Sequence, residues 1–313
     1  MTTAIRIENL KKYYGSVHAL DDLTLTVEPG QVFGFLGPNG AGKSTTIRLL
    51  TGMARPTGGK AWVAGEEITN RRDVARHIGY LPEEPAFYTW MTPMEFLDHV
   101  GRIFGMGEAA RKQRVAKLLE LVGLAQVRKR RIGGFSRGMR QRLGLAQALV
   151  NKPEVLFLDE PASALDPAGR KEVLDLITAL RGTCTVFMST HILADVERVC
   201  DTIGIINQGK LIVEARQDDL LARYTLPAFE LEAEPQSKDA FATWQGMLKT
   251  LPWVTSVAPQ NDLTARVIVS DMAQAHKELL ASTVSAGLVL RRYEIMTPSL
   301  EDVFLRLVNG DAK

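Results

Sequence analysis

The chain has 313 residues, which is enough for about two domains with a large buried core. Hydrophobic residues make up 45% and charged residues 24%, a mixture that excludes a largely disordered or fibrous protein. The 38 basic and 36 acidic residues leave a formal charge of +2, so we expect no overall electrostatic attraction to nucleic acid or to anionic membranes.

Membrane-spanning and secreted proteins are also disfavoured. The sequence lacks the ~18 consecutive apolar residues that a membrane-spanning helix needs, and residues 1–10 do not resemble a secretory signal. Its two cysteines, Cys184 and Cys200, are too few for a disulfide framework, so we expect buried thiols in a reducing compartment. If a membrane takes part in the function, another chain is expected to cross it.

The apolar patterns between residues 5 and 188 predict a layered α/β core. Alternating apolar residues at 5–8 and 23–27 predict two half-buried strands. Three nearly continuous apolar runs, at 32–36, 155–158 and 185–188, are typical of strands that are covered on both faces of a parallel sheet. Helical patterns between these runs indicate helices packed against the sheet.

A helical insertion is predicted from about residue 92 to residue 150. It opens with a capping box in which Thr92 is the N-cap, Pro93 is the first helical residue and Glu95 is the third. Pro153 is expected to stop its last helix. The basic run at 128–131 is interpreted as a solvated loop, with contact to phosphate or lipid as the alternative.

The pattern changes after Tyr224. Strand-like and helical segments then follow in the order βαββαβ, which suggests a small ferredoxin-like unit. A final helix is predicted to start at Thr297 and Pro298. Its apolar side is expected to carry three residues: Phe304, Leu305 and Val308.

The strongest local signal is the segment 37–45, which matches the phosphate-binding pattern G-x-x-x-x-G-K-[ST] between an apolar strand and a helix. Its glycines let backbone N–H groups turn toward phosphate oxygens, and the helix N-terminus adds partial positive charge. Lys43 is suited to the β- and γ-phosphates and Ser44 to Mg²⁺. The whole loop is the candidate nucleotide site: Gly37, Pro38, Asn39, Gly40, Ala41, Gly42, Lys43, Ser44 and Thr45.

Two carboxylates, Asp159 and Glu160, follow the predicted buried strand at 155–158. Ligands bind at this end of the strands in open α/β sheets. Asp159 is suited to hold Mg²⁺, directly or through water, and Glu160 to polarise an attacking water. An acidic pair alone is equally typical of a loop or a helix cap, and the phosphate loop upstream favours catalysis.

These features together resemble the ATP-binding subunit of an ABC transporter, over roughly residues 4–220. The resemblance implies an α/β fold, the P-loop NTPase ABC cassette, with a parallel-sheet core, an antiparallel β subdomain and a helical subdomain at about 92–150. The cassette is expected to span residues 1–222, with a small α+β accessory domain at 223–313. ATP and Mg²⁺ are the implied cofactors, and ATP hydrolysis is the implied reaction.

Further residues match positions with known roles in that family. The resemblance implies that Tyr14 stacks on adenine, with a plain aromatic edge residue as the alternative. It implies that Ser136 and Gly138 contact γ-phosphate from the opposite subunit, although Ser136 also fits a helix N-cap. Asp166 would belong to the loop through which two subunits sense one another, and His191 would contact γ-phosphate. The remaining histidines, including His18, His77, His99 and His276, match nothing in the family.

The chain departs from the family pattern at two places. The family's signature segment corresponds to residues 135–139 of this chain. In it, Arg137 stands in place of a glycine and Met139 stands in place of a glutamine, so we expect weaker packing there. Where the family has a glutamine that meets Mg²⁺ and water, this chain has Glu83. A carboxylate can coordinate Mg²⁺ but lacks the amide donor of glutamine. An exposed loop acid is the alternative interpretation of Glu83.

The resemblance also implies partners. Because the chain contains one set of these motifs, a complete site needs a second cassette, identical or homologous, packed head to tail. A separately encoded membrane permease and a cytoplasmic location on the inner face of the membrane, through that permease, are implied, and no nucleic acid is expected. The segment 298–305 resembles the closing segment of ATPase subunits of bacterial drug, sodium and polysaccharide exporters, and a surface amphipathic helix is the alternative. Cargo specificity is expected to reside in the permease.

Two other functions remain as alternatives. The first is a soluble ATPase of the same superfamily that drives a process other than transport, although such proteins often carry coiled-coil insertions or two cassettes. The second is a GTPase or small-molecule kinase that shares only the phosphate loop. The segment 151–154 resembles a guanine-reading Asn-Lys-x-Asp but ends in Glu154 and leads directly into a strand, which disfavours this alternative.

Overall fold

The computed structural model describes residues 3–163, 165–224, 228–296 and 300–309. The chain divides into two compact units, the first formed by residues 1–217 with 307–313 and the second by residues 218–306. The boundary expected after residue 222 falls inside the helix at Gln217–Tyr224, whose first residue ends the main segment of the first unit.

The first unit alternates strands and helices along the chain. Its strands are β1 (Ile5–Tyr14), β2 (Val17–Val27), β3 (Val32–Leu36), β4 (Gly58–Val63), β5 (Glu66–Glu67), β6 (Ile78–Leu81), β7 (Val155–Asp159), β8 (Thr185–Thr190), β9 (Thr202–Asn207) and β10 (Lys210–Arg216). Its helices are α1 (Lys43–Leu50), α2 (Arg71–His77), α3 (Pro93–Ile103), α4 (Glu108–Leu121), α5 (Arg137–Ala148), α6 (Pro167–Ala179) and α7 (Leu193–Val199), and α8 (Gln217–Tyr224) follows at the boundary.

Two sheets organise this unit. A four-stranded antiparallel sheet has the order β2-β1-β4-β5, and a six-stranded sheet has the order β10-β9-β3-β8-β7-β6. The six-stranded sheet is parallel except for β10, which pairs antiparallel with β9. The three apolar runs of the sequence form β3, β7 and β8, and every residue in these strands is buried. The prediction of a parallel core covered on both faces is therefore confirmed.

Aromatic packing fixes the centre of the parallel sheet. The ring of Phe187 lies 5.4 Å from that of Phe33 and 5.7 Å from that of Phe157, measured between centroids. These three side chains come from adjacent strands and are fully buried. Each contributes roughly 1.5–3 kcal/mol through removal of apolar surface from water. The carboxyl ends of the strands, where the candidate site residues lie, are thereby held rigidly.

The helical insertion follows the capping chemistry of its sequence. Thr92 accepts a hydrogen bond from the Glu95 amide through its hydroxyl (3.2 Å), and its own amide donates to the Glu95 carboxylate (2.8 Å). Ser136 caps α5 by accepting a 3.2 Å hydrogen bond from the Met139 amide, which confirms the helix N-cap expected at Ser136, and the helix begins at Arg137. It ends at Ala148, before Pro153.

Between residues 228 and 296, the second unit contains a four-stranded antiparallel sheet and two α-helices. Its elements are β11 (Ala228–Ala233), α9 (Lys238–Leu248), β12 (Val254–Pro259), β13 (Thr264–Val269), α10 (Met272–Ser285) and β14 (Leu290–Met296), with the sheet order β12-β13-β11-β14. The indole N–H groups of buried Trp244 and Trp253 donate to Ser282 (2.9 Å) and Glu278 (3.0 Å). Buried tryptophans usually need such partners, so α10 is held against this core.

A last helix, α11 (Leu300–Asn309), follows, with Leu300 and Val303 buried and Phe304 half-buried. The start predicted at residues 297 and 298, and the side chains of Leu305 and Val308, lie outside the described residues. No helix in the described ranges is long and apolar enough to cross a membrane.

Candidate functional site

The phosphate-binding loop joins β3 to α1, as the sequence predicts. Gly42 adopts a φ of 111°, and a Cβ atom there would lie 2.6 Å from the carbonyl oxygen of Ala19. A Cβ on Gly37 would lie 2.3 Å from the carbonyl oxygen of Ile206. Only glycine fits at these two positions, because the loop backbone passes so close to neighbouring backbone. The close approach fixes the loop against the fold while α1 begins at Lys43.

Lys43 is buried at the centre of this loop. Its ammonium donates to the carbonyl oxygens of Gly37 (2.7 Å) and Pro38 (3.2 Å) and lies 3.7 Å from Oε1 of Glu160. Burial lowers the pKa of Lys43, and the carboxylates of Glu160 and Asp159 oppose that effect. The site therefore holds a positive charge beside two negative ones, which phosphate oxygens can approach from the loop side.

Asp159 joins the loop to the neighbouring strand. Its Oδ1 accepts hydrogen bonds from the hydroxyl groups of Ser44 (3.1 Å) and Ser189 (2.6 Å). Ser189 lies directly opposite Asp159 in the parallel pairing of β7 with β8. The sequence assigned no role to Ser189, because a serine near the end of an apolar strand carries no signal until the register is known.

The donor set around Asp159 suits Mg²⁺ only together with a nucleotide. Within the described ranges, no group of three or more His, Cys, Asp or Glu side chains could hold a metal ion. Ser44 and Asp159 supply a hydroxyl and a carboxylate, and Mg²⁺ commonly takes one or two carboxylates with substrate phosphates and water. These residues therefore fit a metal ion that arrives with a triphosphate.

Glu160 is held by its neighbours and keeps one oxygen free. Its Oε1 lies 2.9 Å from Nδ1 of His191, and its amide donates to the Ser189 carbonyl oxygen (3.0 Å). Its Oε2 is buried and has no hydrogen-bond partner among the residues that the structure describes. An unpaired buried acceptor costs about 1–3 kcal/mol, and more when it is charged. A water molecule bound at Oε2 would recover that free energy and would stand beside a general base.

Backbone strain also marks Glu160. It adopts a φ of 48°, in the left-handed region that costs an L-residue roughly 1–2 kcal/mol. Strain of this kind persists where the surrounding structure over-determines the conformation, and such positions cluster at active sites. The Ser163 hydroxyl donates to the Glu160 carbonyl oxygen (3.2 Å) and helps to hold this conformation.

A cavity of about 410 Å³ lies between the phosphate loop and Glu160. Residues of the phosphate loop line it with Glu83, Glu160 and His191. Val17 and His18 also line the cavity, and no motif in the sequence points to either residue. The ring of His18 stacks on Tyr13 with centroids 4.1 Å apart, so the β1–β2 hairpin presents an aromatic edge at the cavity.

Tyr14 lies beside this cavity and does not line it. It pairs with Val17 across the hairpin and is 47% exposed, and the Lys12 ammonium lies 4.6 Å from its ring centroid. A largely exposed ring at this position can stack on a planar base. Its role in binding adenine stays a prediction.

Ser136, Gly138 and Asp166 do not line the cavity in the described part of the chain. Ser136 is exposed at the start of α5, and Asp166 caps α6 by accepting a hydrogen bond from the Gly169 amide (3.3 Å). Hence a single chain brings the phosphate loop together with the Asp159–Glu160 pair and His191, and it leaves the signature residues apart from them.

Glu83 connects the cavity to the signature region. Glu83 is exposed, and besides the cavity it lines a cleft with Glu84 and Arg137. The guanidinium of Arg137 lies 3.7 Å from the Glu84 carboxylate. Both side chains are largely exposed, so this ion pair contributes about 0–1 kcal/mol at most. Arg137, which stands in place of a signature glycine, therefore contacts Glu84, the residue after Glu83.

Comparison with known proteins identifies the same family. The family model described as ABC transporter matches residues 20–163. YxlF of Bacillus subtilis (strain 168), an uncharacterized ABC transporter ATP-binding protein, is 40% identical over 98% of this chain and 100% of its own length. The bacitracin transport ATP-binding protein BcrA of Bacillus licheniformis is 38% identical over 99% of each chain. The linearmycin resistance ATP-binding protein LnrL of Bacillus subtilis (strain 168) is 34% identical over 97% of each.

Solved structures agree with the sequence matches. A structure described as the ATP binding subunit of an ABC transporter superposes with a TM-score of 0.65 and 29% identity. The match covers 71% of this chain and 93% of that one. The fold, the loop geometry and the full-length relatives lead to one conclusion: the chain belongs to the ABC transporter family and is one of its ATP-binding subunits.

Proposed function

We propose that this subunit binds ATP with Mg²⁺, packs head to tail with a second cassette and hydrolyses ATP to drive a separately encoded membrane permease. The observation that carries the proposal is the separation of two half-sites in one chain. The phosphate loop and Glu160 share a cavity, whereas Ser136 and Gly138 lie outside it. A second chain that supplies its own Ser136 and Gly138 completes the pocket.

The proposed chemistry assigns one task to each group. Lys43 and the loop amides hold the phosphates, and His191 orients Glu160 through the 2.9 Å contact to Oε1. The unpartnered Oε2 of Glu160 accepts a proton from the attacking water. Bound Mg²⁺ would neutralise charge on the phosphates while Ser44 and Asp159 hold it, with Glu83 as a further oxygen ligand.

Dimer closure follows from differential binding. ATP can drive closure only if it binds the closed form more tightly than the open one, which requires γ-phosphate contacts from both subunits. Ser136 at the N-terminus of α5 is suited to such a contact, because the helix start offers amide groups and partial positive charge. Loss of the γ-phosphate on hydrolysis removes those contacts and lets the dimer open.

We propose that the transporter exports its cargo. We also propose that this subunit lies on the inner face of the membrane. BcrA is named for bacitracin transport and LnrL for linearmycin resistance, and both align with this chain over almost its whole length. Their names concern those proteins, and the shared length supports a similar task here. We assign the second unit an accessory role, as a domain appended to the cassette.

Light scattering with the Glu160→Gln variant tests the closure step. With MgATP we expect a particle of about twice the 34.5 kDa of the monomer, and without nucleotide a monomer. The variant accumulates the closed form because ATP binds but is not cleaved. If no ATP-dependent dimer forms, even with a candidate partner cassette present, the sandwich is wrong.

Copurification tests the transport assignment separately. The tagged chain, expressed with its neighbouring genes and extracted in mild detergent, is expected to retain a polytopic membrane protein. Retention of nucleic acid or of an assembly factor in its place would favour the non-transport ATPase.

A further inference from the structure

Two ion pairs join α6 to α7 behind the candidate site. Arg170 on α6 lies 2.6 Å from Asp195 on α7, and Arg198 on α7 lies 2.7 Å from Asp175 on α6. The two pairs have the same chemistry and bridge the same two helices. Breaking either one removes a single arginine–aspartate contact between the same pair of helices.

The two pairs differ strongly in burial. The side chain of Asp195 is 3% exposed and that of Arg170 is 31% exposed, whereas Arg198 and Asp175 are 40% and 56% exposed. A buried carboxylate without its cation is costly, so the Arg170–Asp195 pair is held in one geometry. The exposed pair contributes little, because water and salt screen it.

The buried pair lies between two loops of the proposed site. The Arg170 amide donates to the carbonyl oxygen of Asp166 (2.9 Å), the N-cap of α6 and the last residue of the loop 163–166. At the other end, the Asp195 amide donates to the carbonyl oxygen of Ile192 (3.2 Å), next to His191. Each partner is therefore fixed within one turn of a loop residue.

Ser163, before Asp166, and His191, before Ile192, also contact Glu160. The Ser163 hydroxyl donates to the Glu160 carbonyl oxygen (3.2 Å), and Nδ1 of His191 lies 2.9 Å from Glu160 Oε1. Glu160 is therefore contacted by Ser163, three residues before Asp166, and by His191, next to Ile192, and the Arg170–Asp195 pair contacts Asp166 and Ile192. The Arg198–Asp175 pair lies further along both helices and is not part of these contacts.

We propose that Arg170 and Asp195 are positioning residues for hydrolysis, which hold Asp166 and His191 in place around Glu160. The proposal rests on the function proposed above, because the roles of Glu160, His191 and Asp166 belong to it.

Steady-state kinetics of matched variants tests the proposal. Asp195→Asn keeps the shape of the side chain and removes its charge, and we expect kcat to fall about 10- to 100-fold because misplaced groups lose orientation. The KM for ATP and the equilibrium affinity for MgATP are expected to change by less than about twofold, since neither residue lines the cavity. Arg170→Lys keeps the charge and is expected to retain more of kcat than Arg170→Gln does.

The exposed pair provides the control. Asp175→Asn and Arg198→Gln are expected to leave kcat within about twofold of the unmodified chain, because exposed pairs contribute little. The proposal is overturned if Asp195→Asn keeps its kcat, if the control variants lose as much, or if kcat and MgATP affinity fall together with the melting temperature. If Asp195→Asn fails to fold, the kcat order of Arg170→Lys and Arg170→Gln decides the question.

The outcome is separable from the test of the proposed function. If Glu160→Gln abolishes hydrolysis while the Arg170 and Asp195 variants retain it, the positioning proposal fails and the proposed function stands. If Glu160→Gln retains hydrolysis, the function as proposed fails first.

Discussion

Replacement of Glu160 with glutamine is expected to lower kcat for ATP hydrolysis ~10²- to 10⁴-fold, because the chain loses the proposed general base. The amide has nearly the shape of the carboxylate but cannot accept a proton from water. The 2.9 Å contact from His191 to Oε1 and the backbone contact to Ser189 can persist, so the loop is expected to keep its conformation. Affinity for ATP is therefore expected to remain, as measured by equilibrium binding of a fluorescent ATP analogue.

Glu154→Gln is a matched control for this variant. Glu154 lies immediately before β7, at the opposite end of the strand from Glu160, and its carboxylate lies 2.7 Å from Nδ1 of His77. Both variants remove one carboxylate that contacts a histidine, and only one of those carboxylates is in the cavity. Unchanged phosphate release in Glu160→Gln would remove Glu160 from its assigned role.

Replacement of Lys43 with alanine is expected to lower kcat/KM for ATP on the order of 10²- to 10³-fold, comparable to the loss of one preorganised donor to a developing anion. The Lys43 side chain is 6% exposed, and its ammonium lies 3.7 Å from Glu160 Oε1. Its removal takes away the positive charge that phosphate oxygens meet in the loop. It also leaves the carbonyl oxygens of Gly37 and Pro38 without this donor.

Steady-state kinetics and equilibrium binding of MgATP measure this effect, with Lys60→Ala as the control. Lys60 is an exposed lysine on β4, away from the cavity. The control is expected to leave both constants unchanged. An affinity in Lys43→Ala equal to that of the control would show that Lys43 does not hold the phosphates.

Local chemistry explains how much of the site could be predicted from the sequence. The phosphate loop is one continuous segment. The order of its glycines, Lys43 and Ser44 along the chain is therefore enough to predict how the loop folds around a phosphate. Asp159 and Glu160 were recognisable because they follow an apolar strand, and the structure brings both to the same end of the sheet as the loop. Within the phosphate loop, and within the Asp159–Glu160 pair, residues that are adjacent in sequence act at the same place in the structure.

Contacts between distant segments were not predictable in the same way. The hydrogen bond from Ser189 to Asp159 depends on the register of β7 with β8, which sequence patterns do not set. Arg170 and Asp195 each look like an ordinary charge on a surface helix, and only the packing of α6 on α7 shows that one of them is buried. His18 has no motif around it, and its place at the cavity follows from the path of the β1–β2 hairpin.

In the proposed dimer, nucleotide held at Lys43 of one chain is contacted by Ser136 of another. A Lys43→Ala, Ser136→Cys chain is expected to bind nucleotide only weakly in its own loop, so a label on its Cys that needs a partner comes from nucleotide on that partner. The partner is a differently tagged chain with Lys43 and Ser136 intact, loaded with an ATP analogue that carries a thiol-reactive group on its γ-phosphate. Background from the native thiols is low, because Cys184 and Cys200 are buried and burial raises the pKa of Cys184 to about 11.

We expect the label on the Lys43→Ala, Ser136→Cys chain only when the intact partner is present, and no label when both chains carry Lys43→Ala. Mass spectrometry of the separated chains identifies the labelled residue. Two results together would contradict the proposed dimer. The first is that no label appears in the mixture. The second is that a Ser136→Cys chain with its own Lys43 is labelled at concentrations where light scattering shows a monomer, which would place both half-sites in one chain.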